Sequence, residues 1–145
     1  MKAESSIVIK ASVDKVFRLL QNVEKFAELI PGKQTRVLKK EGDKVFTQST
    51  VKLMGKEFKH ASVGTIKENE FTRFKQIQGL LKGMETECRV EEVKEGTLFR
   101  VIHSLNFPIP LIGDMIARLI YFFIIERMVD ELLPKIKTKI EEEES

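Results

Sequence analysis

From residue 35 to residue 106 apolar and polar positions alternate with a period of two, and outside that block the spacing is helical. Val45, Thr47, Ser49, Val51 and Leu53 alternate with Lys44 and Lys52. Phe58, His60, Ser62, Gly64 and Ile66 alternate with Lys59 and Lys67. Met84, Thr86, Cys88 and Val90 alternate with Glu85, Glu87, Arg89 and Glu91, and Phe99, Val101, His103 and Leu105 with Arg100. Turn pairs at Gly42-Asp43, Gly55-Lys56, Asn69-Glu70 and Glu95-Gly96, with a loop from Gly79 to Gly83, separate these runs. Turns at such regular spacing predict an antiparallel meander. A strand around Val37 and Lys39 opens it, and the run Phe71 to Gln78 is a strand whose facing the pattern leaves open.

Ahead of the meander, Ser6 to Lys10 reads as a short strand. Ser12 is a good N-cap with Asp14 in the first turn, and Val16, Phe17, Leu19 and Leu20 take helical spacing. Asn22 caps a second short helix through Val23, Phe26, Leu29 and Ile30, which Pro31-Gly32 stops. Behind the meander, Pro108 and Pro110 break the chain, and one long helix is expected to run to Ile140. At 100° per residue Met115, Phe122, Ile125, Val129, Leu132, Leu133, Ile136 and Ile140 form one stripe, with Arg118 in its middle. Ile116, Ile120 and Phe123, with Ile124 beside them, lie on the opposite side, so the first half of this helix is apolar nearly all round. Such a helix needs cover: the short helices and a loop, a second subunit in a homodimer, or a peripheral membrane contact. Arg118 either snorkels to solvent or meets the anionic head of a ligand.

If the charged partner in each strand points outward, the inner face carries the residues named above as its alternates. That face holds hydroxyls, a thiol and two imidazoles among aliphatics. Buried polar groups without partners are costly, so it suggests a cavity for a ligand or water.

Composition alters this picture only at the margins. A chain of 145 residues fits a single ligand-binding domain spanning 1–145, with the acidic end 141–145 expected to fray against the helix dipole. The single Cys88 leaves no internal disulfide. A net charge of +3 spread among mixed lysines and glutamates, with no Trp and one Tyr, argues against nucleic acid as a partner. The polar start and the lack of a long apolar run lead to the expectation of a cytoplasmic protein.

The order strand, two short helices, meander, long helix resembles the helix-grip superfamily, as does the front segment from Ile7 to Phe26 with its Val16-Phe17 pair and its continuation to Pro31-Gly32. That superfamily includes START lipid-transfer domains, plant allergen and hormone-binding relatives, and polyketide cyclase/dehydrase-like and coenzyme-Q-binding proteins. The resemblance implies an α+β fold, a curved seven-stranded antiparallel sheet gripping the C-terminal helix. It also implies a cavity between them for a lipid, quinone or polyketide-like molecule.

The expected ligand-binding residues are His60, Ser62, Met84, Thr86, Cys88, Phe99, Val101, His103, Met115, Arg118, Phe122 and Ile125. Neither a metal nor a cofactor is expected: His60, Cys88 and His103 sit on different strands with no short-spaced ligand pair. Binding or transport of a hydrophobic small molecule is the main expectation. One alternative is a cyclase/dehydratase-type enzyme using His60 or His103 as acid/base. Another is a module that docks through the apolar half of the last helix.

Overall fold

The computed structural model describes residues 2–53, 55–79, 81–105, 115, 119 and 121–144. Seven strands form one antiparallel sheet in the order β1-β7-β6-β5-β4-β3-β2. Their bounds are β1 Lys2–Ile9, β2 Lys33–Glu41, β3 Lys44–Leu53, β4 Lys56–Lys67, β5 Phe71–Gln78, β6 Glu85–Val93 and β7 Gly96–Ser104. Two short helices, α1 (Val13–Gln21) and α2 (Val23–Ala27), follow β1. A π turn, Tyr121–Ile125, leads into α3, Glu126–Glu144. This is the helix-grip architecture. Among the described residues no helix is long and apolar enough to cross a membrane.

Local chemistry explains the element boundaries. Ser12 Oγ accepts from the Lys15 N–H at 3.3 Å and Asn22 Oδ1 from the Lys25 N–H at 3.4 Å, so both expected caps satisfy donors that α1 and α2 leave over. β1 starts four residues before the expected Ser6, because Lys2–Ser5 still pairs with Val101–Ser104 of β7. A backbone ladder does not require apolar side chains. Gly64 faces Phe74 across the β4–β5 ladder, and a Cβ there would lie 2.4 Å from the ring; the ring fills the space a side chain would take.

The main core lies at the β1, β7 and β6 end. Ile9, Phe99 and Val101 of the sheet meet Val16, Phe17 and Leu20 of α1 and Val129, Leu133, Ile136 and Ile140 of α3. Thr97 is buried there with its hydroxyl donating to Ala11 O at 2.7 Å.

One expectation about the last helix changes. Met115 is exposed at 59%, together with Leu119 and Phe123, rather than turned inward with Val129 and Leu132. A constant 100° step does not hold through the π turn Tyr121–Ile125, which separates Met115 from α3 along the sequence. The end expected to fray is helical through Glu144. Glu141 accepts from the Lys10 N–H at 2.9 Å and from Lys137, whose Nζ also donates to Val8 O at 3.1 Å. These bonds, led by that from the Lys10 N–H, hold the Glu141 carboxyl below its usual pKa. At the other side of the sheet the Val37 N–H donates to Glu24 Oε1 at 3.1 Å, next to a bulge between Val37 and Lys39.

Candidate functional site

Beside the packed core, with which it shares Leu20, Val101 and Val129, the sheet and helices part around a partly open cavity of about 220 Å³. Its helical wall is apolar: Leu20 of α1, Val23, Phe26 and Ala27 of α2, and Ile124, Ile125, Met128 and Leu132 of the last helix. Its sheet wall mixes polar and apolar residues and carries the polar groups of the lining. β2 gives Lys33 and Thr35, β3 gives Thr47 and Ser49, β4 gives His60 and Ser62, and β5 gives Thr72 and Gln76. Thr86 and Cys88 of β6 and His103 of β7 add to these, and Val51, Phe58, Phe74, Met84 and Val101 are its apolar members. The volume lies just under the roughly 300–1,000 Å³ of common ligand pockets.

Polar groups on this wall bond one another where they can. Thr35 Oγ1 and Ser49 Oγ are 2.7 Å apart across the β2–β3 ladder. Thr86 Oγ1 and His103 Nδ1 are 3.1 Å apart across β6–β7. Cys88 hydrogen-bonds Thr72, its neighbour across β5–β6. Burial pushes the Cys88 thiol up to about 12, so at neutral pH it is an unreactive thiol rather than a nucleophile. His60 and His103 are both held down to about 4, first by burial and second by the nearby charge of Lys33. Both imidazoles are therefore neutral at pH 7. Lys33 is itself lowered by burial. No group of three or more potential metal ligands occurs among the described residues.

The electrostatic coupling of Lys33 with His60, His103 and Cys88 also reports the curvature of the sheet. β2 is the last strand on one side, and β7 lies five places away in the strand order. Only a strongly coiled sheet brings their inner side chains into one electrostatic neighbourhood.

Most residues expected at the site line this space: His60, Ser62, Met84, Thr86, Cys88, Val101, His103 and Ile125. Phe99 does not; it is fully buried in the core beside Ile9 and Phe17. Met115 does not, being exposed. Arg118 lies outside the described residues, and of Phe122 only the backbone is described. Sequence reasoning missed Lys33, Thr35, Thr72 and Gln76. A lysine at the start of a strand reads as outward-facing, and β5 inverts the usual code. Its Thr72 and Gln76 are buried, whereas Ile77 is exposed and Phe71 lies outside under Arg73 and Arg89, 4.6 and 5.0 Å from its ring centre.

Among solved structures, the di-domain ARO/CYC StfQ from the steffimycin biosynthetic pathway superposes with a TM-score of 0.83 at 20% identity, over 98% of this chain and 51% of that one. The aromatase/cyclase ZhuI from Streptomyces sp. R1128 gives 0.79 at 16%, over 97% and 93%. A START superfamily protein from Mycobacterium smegmatis gives 0.74 at 15%, over 97% of both chains. At these identities the likeness is one of fold. None of the curated proteins compared matches the chain by sequence. The family model described as polyketide cyclase / dehydrase and lipid transport matches residues 9–132, which include both short helices, the whole sheet from β2 to β7 and the first part of the last helix. The chain belongs to the polyketide cyclase / dehydrase and lipid transport family.

Proposed function

We propose that the chain binds an amphipathic small molecule in the cavity between its sheet and its last helix. The observation that carries this is that the polar groups of the lining all lie on the sheet side, opposite an apolar helical wall. A molecule with a hydrocarbon side and a few oxygens fits that division. Its apolar side against Phe26, Ile125 and Leu132 leaves water at roughly 25 cal/mol per Å², so about 200 Å² of such contact contributes about 5 kcal/mol. Its oxygens meet donors and acceptors that the cross-strand pairs already hold in position, which fixes its orientation.

The binding reading is favoured over the cyclase or dehydratase reading by the state of the imidazoles. A general base works best with a pKa near the working pH, and bases held at about 4 are poorly matched to proton abstraction at neutrality. Binding is tested by fluorescence of 1-aminoanthracene, a neutral aromatic probe, with the wild type and Ser62→Phe, which fills the cavity from β4. Saturable binding lost in S62F supports the reading, and equal signals from both proteins would overturn it. The enzyme reading gains only if a polyketide-like substrate is turned over and His60→Ala or His103→Ala abolishes turnover while probe binding persists.

A further inference from the structure

Lys33 is the feature of the cavity that a neutral ligand does not explain. Its side chain enters from the start of β2, and no Asp or Glu lines the cavity among the described residues. Lys59, the other lysine at the lining, is exposed and alternates with His60 on β4. Within the cavity the other titratable groups near Lys33 are His60, Cys88 and His103, two bases and a thiol, while Glu24 and Glu28 border the half-buried Lys33 only from a separate pocket on its outer side. Cys88 would help a cation only as thiolate, and its pKa of about 12 keeps it protonated at neutral pH. The wall therefore offers an ammonium, two imidazoles and several hydroxyls, with no compensating negative charge among the described lining residues. An ammonium in such a place is costly unless an anion joins it.

Building on the cavity reading above, we infer that the ligand is an amphiphile headed by a carboxylate, and that Lys33 is the residue that selects it. The head sits where β2 enters the cavity, against Lys33 Nζ, within reach of the hydroxyl face formed by Thr35 and Ser49. The tail runs along Phe26, Ile125 and Leu132. An anion there works in the same direction for all three bases: it stabilises the ammonium and relieves the repulsion that helps hold both histidines down. The carboxylate is thus recognised by charge at one point and the tail by burial along its length.

The test is competition against 1-aminoanthracene by two molecules of equal chain length, decanoate and decan-1-ol, at pH 7.5. Wild type is expected to prefer decanoate by tenfold or more. Lys33→Met removes that preference and leaves decan-1-ol within about twofold of its wild-type affinity, while Lys33→Arg keeps the preference. Equal affinities for the two competitors in wild type overturn the inference without any variant, which covers the case of a variant that does not fold. A preference undiminished in K33M also overturns it. Failure of both the probe and decan-1-ol to bind overturns the cavity reading and this inference together, so the two failures are told apart.

Discussion

His103 makes the fold sensitive to mild acid, and the size of the effect can be worked from its surroundings. Its imidazole is buried against Thr86, and its pKa is held at about 4 against an ordinary 6.5. Between those values the unfolded chain takes up a proton that the folded chain refuses. Stability is then fully present above 6.5 and is lost as the pH falls toward 4, with a limiting slope of about 1.4 kcal/mol per pH unit. Integrated from pH 7 to pH 5, one such group removes about 2 kcal/mol. For a chain near this length that is a fall in Tm of roughly 4–8 °C. His60 adds a contribution of the same sign, reduced because it is only half-buried. Glu87 is also linked to pH, but lower down. Burial works against its carboxylate, and hydrogen bonds from Arg73 and Arg89 more than offset that, so its share is lost only below about 4.5. His60 titrates over the same range, so a variant is needed to isolate His103. The assay is urea unfolding of wild type and His103→Gln at pH 7, 6 and 5. H103Q should lack about 2 kcal/mol of the wild-type loss. The same pH dependence in both proteins, or an NMR titration placing His103 near 6.5, would refute the reasoning.

Three further outcomes are expected. Cys88 should resist a thiol-specific disulfide reagent in the native protein at pH 8 and react fully in urea; fast native labelling would contradict the raised thiol pKa and the burial that causes it. Gly64→Ala should destabilise by about 1–3 kcal/mol in chemical unfolding, because the new methyl meets the Phe74 ring; a neutral result would mean the ring moves aside freely. Thr97→Val keeps the shape but leaves Ala11 O without its buried donor, at about 1–3 kcal/mol; a change under about 0.5 kcal/mol would mean water replaces the hydroxyl.

Where alternation is clean, the sequence reveals the site: Thr86 and Cys88 are placed inward by their charged neighbours, Ser62 and His103 by continuing the alternation that Lys59 and Arg100 set, and all four line the cavity. What alternation cannot express is a wall that is polar because it borders a cavity. On β5 the inward residues Thr72 and Gln76 flank Phe74 while Phe71 and Ile77 point outward, so hydrophobicity does not identify the inner face. Lys33 is hidden for the same reason. Its long side chain belongs to a strand at the far side of the sheet from β6 and β7, and only the coiling of the sheet brings it to them. Met115 is misplaced for a different cause, a local change of helical winding that side-chain periodicity does not encode.

The two outermost strands carry one more consequence. An open sheet ends in two rows of backbone groups that another chain can extend by pairing. Here each row is interrupted by side chains from a helix. Lys137 occupies Val8 O and Glu141 occupies the Lys10 N–H beside β1, while Glu24 occupies the Val37 N–H on β2, where a bulge also breaks the ladder. The last turns of α3 thus shield β1 from edge-to-edge assembly. A chain cut before Lys137 would keep the cavity-lining residues, the last of which is Leu132, yet expose a strand edge ready to recruit its own kind.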